Sequence, residues 1–349
     1  MTGAESVRRL VVDMQSSALH MRLPEWAAEE ITAQAPPGWE VVHIASISRS
    51  LGNGTNEPSP EALAAMPTAE AYFGYGLTPT LLAASPRLRW AHSASAGIGE
   101  SITPELAASG VVFTNGAGVY AEPMADTVLG GVLHFVRGLD YAVRQQAERA
   151  WKREPFVEND GGIRELSEYR VLVIGAGGIG SAVAQRFQAL GCECTGVRRR
   201  PERGVPPGFR RVVGPDALEE VLPDADVVVV AAPLTAGTRT LLDGDRLALL
   251  PAGAIVVNVA RGPLVADAAL LEGLDSGRVR GAVLDVFTTE PLPADSPWWR
   301  HPRVLVTPHV SGVSPRRTWQ RGLALFMDNW RRWSAGEPLR NVVDLDAGY

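Results

Sequence analysis

The stretch VIGAGGIGSAVAQRFQALGCECTGVRRR, Val173–Arg200, decides the fold. It reads as the end of the short apolar strand Val171–Ile174, a glycine-rich turn and the helix Ser181–Leu190, with Val183, Phe187 and Leu190 on one face. A second strand, Cys192–Val197, follows. The spacing Gly175-Ala-Gly177-Gly178-Ile179-Gly180 falls between strand and helix, where such a pattern carries a physical meaning. Gly175 permits the tight turn, Gly177 lets the main chain approach a pyrophosphate, and Gly180 lets helix and strand pack closely. The helix start at Gly178 and Ile179 then offers unpaired N–H groups to a phosphate.

The same stretch ends on an unexpected charge. A carboxylate about 20 residues on usually accepts from the adenosine ribose. Arg198 stands there instead, eighteen residues after Gly180, followed by Arg199 and Arg200. Guanidinium donors match a 2′-phosphate, which a carboxylate would repel. The cluster therefore points to NADPH in preference to NADH.

Outward from this unit, strands and helices alternate with little filler. Val227–Ala231, Ala254–Asn258, Gly281–Asp285 and Val304–Val306 read as strands. Ala217–Leu222, Arg246–Leu250 and Asp267–Ser276 read as helices. Near-continuous apolar strands separated by helices predict a parallel sheet covered on both faces, a doubly wound α/β domain. The first hundred or so residues predict a smaller α/β unit, with strands at Leu10–Val12, Glu40–Ile44, Ala71–Phe73, Trp90–His92 and Val111–Phe113. One long helical segment, Ala125–Trp151, joins the two, and a second, Arg317–Trp333, closes the chain. The expected domains are 1–118 with 310–349, and 119–309.

Composition agrees with an ordinary globular chain of 349 residues, 46% hydrophobic and 21% charged. A net charge of −6 gives no global basic footprint for nucleic acid. No apolar run reaches the roughly 18 residues of a membrane span, and Met1–Leu10 does not resemble a secretory signal. A cytoplasmic location is expected. Cys192 and Cys194 alternate along a strand and lack partner ligands, so neither a disulfide nor a metal site is expected. Lys152 is the only lysine and lies in a polar helical stretch, which argues against Schiff-base chemistry.

Ligands of open α/β sheets bind beyond the carboxyl ends of the strands. Arg261, Glu290 and His309 lie at or just beyond such ends, in Val259-Ala260-Arg261-Gly262, Glu290-Pro291 and Thr307-Pro308-His309. The three suit reversible reduction of a 2-oxo acid. Arg261 offers a forked cation to the carboxylate. His309 can shuttle the proton to the oxygen that gains a hydride. Glu290 would accept from the other ring nitrogen, orienting the imidazole and favouring its protonated form.

With these residues in view, the sequence resembles the D-isomer-specific 2-hydroxyacid dehydrogenase family over nearly its whole length. The motifs are HSASAGI (His92–Ile98), NGAGVYAEPMADTVLG (Asn115–Gly130), VIGAGGIG (Val173–Gly180), NVARGPLV (Asn258–Val265), LDVFTTEPLP (Leu284–Pro293) and TPHVSG (Thr307–Gly312). The resemblance implies Arg261, Glu290 and His309 as the catalytic trio. It implies that backbone amides of Ser95, Ala96 and Gly97 help bind the substrate carboxylate. Asp285 matches the position that holds the nicotinamide carboxamide, and Pro233, Thr238 and Val259 match cofactor-lining positions. It further implies two Rossmann-like domains with the active site in the cleft between them, and a homodimer. Asp126 departs from the usual glutamate and is read as structural. Arg198 in place of an acid is similar to the family's NADPH-preferring glyoxylate/hydroxypyruvate reductases.

Two other readings compete. A corepressor-type protein that senses NAD(H) would share the fold, and a phosphoglycerate-type dehydrogenase would share the chemistry. The complete Arg261–Glu290–His309 set disfavours the first. The arginines disfavour the second, because oxidation usually draws on NAD. Tyr72, Phe73 and Tyr75 are expected either on a loop lining an aromatic pocket or in the core.

Overall fold

The computed structural model describes residues 7–52, 54–157, 163–346 and 348. Met1–Ser6, part of the opening segment weighed above as a signal, lie outside the described residues. The chain folds as two compact units, Met1–Tyr120 with Ser314–Tyr349, and Ala121–Val313.

The first unit carries strands β1 (Arg8–Asp13), β2 (Trp39–His43), β5 (Ala71–Gly74), β6 (Trp90–Ser93) and β7 (Val112–Asn115), with a small ribbon of β3 (Ser50–Gly52) and β4 (Thr55–Asn56). The main sheet is parallel in the order β2-β1-β5-β6-β7. Alternation along β1 sends Val11 to one core with Tyr72 and Phe113, and Leu10 and Val12 to another with Trp90, Phe326 and Trp330. Both faces are thus buried, which is why these strands read as apolar runs. Short helices over this sheet start at Ser-Pro or Thr-Pro pairs. Ser59, Thr78 and Thr103 each accept from a first-turn amide, with proline at the first helical position.

The second unit holds seven parallel strands, β8 (Arg170–Ile174), β9 (Glu193–Val197), β10 (Arg211–Val213), β11 (Val227–Val230), β12 (Ala254–Asn258), β13 (Val279–Leu284) and β14 (Val304–Val306). Their order is β10-β9-β8-β11-β12-β13-β14. The order reverses between β8 and β11, the crevice where open sheets take dinucleotides. All four positions of β11 and all five positions of β12 are buried, and the core continues through Leu222, Leu242 and Leu264. The doubly wound, Rossmann-like architecture expected of both units is present.

One expectation needs correction, one strand was not foreseen, and one open alternative is closed. The segment Ala125–Trp151 is two helices, Ala121–Val136 and Leu139–Glu148, because Gly138 takes a left-handed φ of 65° between them. A Cβ at Gly138 would also stand 2.6 Å from Ile163, so the break is built into the packing. Strand β10 was not anticipated, since a short edge strand with an exposed arginine leaves no apolar run. Tyr72 and Phe73 lie in β5, where the strand Ala71–Phe73 is predicted, and with Tyr75 they are buried in the core. Phe73 stacks on Phe326 at 4.0 Å, which settles the aromatic trio as packing. No helix among the described residues is long and apolar enough to cross a membrane.

Candidate active site

The glycine turn follows β8 at the reversal point. Gly175 has φ 109°, and a Cβ there would meet the Ala231 main chain at 2.5 Å. A Cβ at Gly180 would stand 2.1 Å from the Gly175 carbonyl, so the turn closes onto the helix. Gly177 differs from both. Nothing lies within 4 Å of where its Cβ would be, so no protein packing demands glycine there. The open space lies over the start of the helix Gly178–Ala189, which no side chain caps. Space and uncapped amides at this turn fit a pyrophosphate. Arg198 follows the last residue of β9, and its main-chain N–H donates to Val213 in β10. Arg199 and Arg200 are exposed beside it. After β11, Thr238 closes the next loop by donating from its hydroxyl to the Pro233 carbonyl at 2.7 Å. Val259 is buried, so only its main chain is placed to meet a ligand.

The imidazole and its partner stand farther along the same strand ends. His309 Nδ1 lies 2.7 Å from Glu290 Oε2, and the Phe287 N–H donates to Glu290 Oε1 at 2.8 Å. Burial alone would raise the Glu290 carboxyl. The hydrogen bonds from His309 and Phe287, with the charges of His309 and Arg261, outweigh it and hold the group below the usual range. A carboxylate can only accept, so Nδ1 carries the hydrogen and Nε2 is the ring nitrogen turned away from Glu290. His309 itself takes a left-handed φ of 54°, an uncommon conformation for a residue with a Cβ.

Asp285 holds that strained loop. It is fully buried and accepts from Thr307 Oγ1 at 2.6 Å, from the Val310 N–H at 2.9 Å and from the Ser311 N–H at 3.0 Å. Its carbonyl accepts from the His309 N–H at 2.8 Å. The resemblance implies a contact from Asp285 to nicotinamide; in the structure its carboxylate also takes three donors from the loop that carries the histidine. Arg261 follows β12 and donates from Nη1 to the Ala260 carbonyl at 2.7 Å. Burial pushes its guanidinium below its ordinary value, while Glu290 pulls the other way. Among the described residues no carboxylate lies within ion-pair distance of Arg261, so a half-buried cation stands without a counter-ion. Asp126 does serve structure: with Glu122 it clamps Arg186, at 2.8 Å from each.

In the first unit, the loop after β6 contains Ser95, Ala96 and Gly97. The Ser95 amide donates to Ser93 Oγ at 3.2 Å and is not available, which corrects its inclusion among the donors. Among the described residues no acceptor lies on the amides of Ala96 and Gly97. Sequence reasoning passed over the residues that support this loop, Asn115 and Tyr120, although both stand in the quoted NGAGVYAEP motif. The signal was their polar type beside small residues, and it is uninterpretable without the fold. Cys192 and Cys194 are buried free thiols, which burial pushes up to about 11 and about 12. They play no part at the site.

A doubly wound sheet with a glycine turn at its reversal point, and a carboxylate-held imidazole at a neighbouring strand end, defines a dinucleotide-dependent dehydrogenase. The sequence profile of the D-isomer specific 2-hydroxyacid dehydrogenase NAD binding domain matches residues 129–311. The glyoxylate/hydroxypyruvate reductase A of Salmonella typhi is 36% identical over 228 residues, 65% of this chain and 69% of the relative. A D-isomer specific 2-hydroxyacid dehydrogenase from Xanthobacter autotrophicus Py2, solved with NADPH and MES, aligns with TM-score 0.78 and 32% identity over 98% of this chain and 100% of that one. The NADPH-dependent glyoxylate/hydroxypyruvate reductase of Sinorhizobium meliloti, solved with NADP and sulfate, aligns with TM-score 0.75 and 26% identity over 98% and 100%. The chain belongs to the D-isomer specific 2-hydroxyacid dehydrogenase family, and it is an enzyme of that class.

Proposed function

We propose that the enzyme uses NADPH to reduce a small 2-oxo acid of the glyoxylate or hydroxypyruvate type to the D-2-hydroxy acid. The observation that carries this reading is the Glu290–His309 pair at 2.7 Å, with the half-buried Arg261 engaged by no carboxylate within ion-pair distance among the described residues. Arg261 takes the substrate carboxylate; in the first unit, the amides of Ala96 and Gly97 are the proposed carboxylate donors. Bound nicotinamide would supply the hydride. His309 delivers a proton from Nε2 to the oxygen that becomes an alkoxide, and Glu290 stabilises the charged ring before transfer. Gly175, Gly177, Gly178, Ile179 and Gly180 would hold the pyrophosphate, with Pro233, Thr238 and Val259 lining the cofactor. Arg198, Arg199 and Arg200 would clamp the 2′-phosphate.

A panel of glyoxylate, hydroxypyruvate and larger 2-oxo acids, run with NADPH and NADH, tests both parts. Oxidation of NADPH with small 2-oxo acids, and a preference over NADH, is expected. Flat absorbance across the panel would sink the reductase and favour the NAD(H)-sensing alternative. Arg198→Asp with Arg199→Ala should reverse the cofactor preference. Charged hydrogen bonds contribute roughly 1.5–3 kcal/mol each, so losing two shifts discrimination by about two to four decades. Equal use of both cofactors by the wild type would leave the arginines as a solvated loop tip. A cytoplasmic homodimer completes the proposal, supported by Leu139 and Val143, 47% and 59% exposed one helical turn apart. Sedimentation of the purified enzyme tests the assembly.

A further inference from the structure

We propose that Asn115 and Tyr120 are positioning residues for the substrate-carboxylate loop, and that Asn341 of the C-terminal segment seats Asn115. The proposal rests on the reading of the loop after β6 as a receiver of the carboxylate. A peptide unit is planar and trans, so the carbonyl of one residue and the N–H of the next point in opposite directions. Holding a carbonyl therefore aims the following amide.

Three successive carbonyls are held in this way. Ala94 O accepts from the Tyr120 hydroxyl at 3.1 Å, Ser95 O from the Gly116 N–H at 3.0 Å, and Ala96 O from Asn115 Nδ2 at 3.0 Å. The first contact turns the Ser95 N–H toward Ser93 Oγ. The second aims the Ala96 N–H and the third aims the Gly97 N–H. These are the two amides without an acceptor. Asn115 sets one of them directly, and its Oδ1 is fixed in turn by the Ala117 N–H at 3.2 Å.

The chain end completes the frame. Asn341, with a left-handed φ of 53°, donates from Nδ2 to the carbonyls of Asn115 at 3.2 Å and Ala117 at 2.8 Å. Its own carbonyl accepts from the Asn115 N–H at 3.2 Å. Val343 then bonds to Phe113 of β7 at 2.8 Å, which ties the segment to the sheet. The anchors are uncharged. A carboxylate in their place would repel an arriving anion, and a cation would compete for it. Burial pushes the Tyr120 phenol up to about 12, so it remains a donor throughout the working range.

Steady-state kinetics of Asn115→Asp, Tyr120→Phe and Ala96→Pro, with glyoxylate and hydroxypyruvate, test this. Asn115→Asp keeps the shape but replaces the donor with an acceptor. It should raise the KM for both 2-oxo acids by about 10- to 100-fold, and Tyr120→Phe by about 5-fold. Both should leave kcat and the KM for NADPH near wild type, with melting temperatures close to it. A merely structural role would lower the active fraction without separating KM from kcat. Ala96→Pro removes a donor amide outright and should raise the same KM. If only Ala96→Pro raises it, the positioning role is overturned while the carboxylate loop stands. If Ala96→Pro leaves it unchanged, the carboxylate-loop reading fails and the proposal with it. Should Asn115→Asp not fold, Tyr120→Phe decides: an unchanged KM overturns the proposal.

Discussion

Two loops at strand ends, one in each unit, are held by opposite chemistry. The loop Thr307–Ser311 is gathered around a buried carboxylate, with Asp285 accepting from Thr307, Val310 and Ser311. The loop Ala94–Gly97 is gathered by neutral donors, Tyr120, Gly116 and Asn115. In the proposed reaction the first loop presents the imidazole that hands over a proton. The second would present amides to an anion, and a negative anchor there would oppose binding. Each anchor suits what its loop is proposed to do. A carboxylate also has about four lone-pair sites, enough to organise several donors of a strained backbone at once.

The largest test breaks the comparison at the imidazole. His309→Ala should lower kcat/KM by about 10²–10⁴-fold, the usual contribution of a positioned acid–base group. NADPH affinity, read by fluorescence titration, should change little. Turnover near wild type across the pH range would remove His309 from the chemistry and leave its loop as structure.

Exchanging the anchor sharpens it. Asp285→Asn turns one accepting oxygen into a donor and leaves a loop N–H facing it, at a cost of roughly 1–3 kcal/mol. Here kcat should fall, about 10-fold or more, with a lower melting temperature, because the His309 backbone relaxes from its left-handed φ. The neutral anchors should instead move KM. If Asp285→Asn altered only KM for the cofactor, a direct contact with nicotinamide would be the better account.

The smallest effect concerns stability against pH in the first unit, whose loop lacks a charged anchor but whose core holds two titrating groups. Burial pushes His92 down to about 3, so the unfolded chain binds a proton that the fold refuses. Its contribution is complete above 6.5 and is lost as pH falls toward 3. Burial pushes Asp13 up to about 6, against hydrogen bonds from Tyr72 and Ser48. The fold then keeps a proton that the unfolded chain releases above 3.8, so stability is lost as pH rises from there through 6. The two slopes, each at most roughly 1.4 kcal/mol per pH unit, oppose one another in this window. Relative to wild type, His92→Asn should lower the slope of stability against pH between about 4 and 6, and Asp13→Asn should raise it. Urea midpoints measured across that range check the signs. Parallel shifts in both variants would show that neither group titrates as its burial requires.

Local pattern determined a great deal. Continuous valine runs such as Val227–Val230 can only be satisfied with both faces covered, so β11 and the parallel sheet around it were legible from residues alone. The glycine spacing Gly175–Gly180 was legible because φ and close approach are properties of single residues. Arg261, Glu290 and His309 were legible as candidates because strand ends line one edge of a parallel sheet, whatever the loop conformations. Tertiary structure decided what depends on which atoms meet across long sequence separations. The break at Gly138 reflects Ile163 pressing on a position with no room for a Cβ. The burial of Phe73 reflects the helix Pro315–Ala335 returning to cover it, some 240 residues later along the chain. The employment of Asp285 by the His309 loop, and of Asn115, Tyr120 and Asn341 by the loop after β6, has the same origin. A hydrogen bond is specific in direction over about 3 Å, and no periodicity in the sequence reports where a donor so placed will find its acceptor.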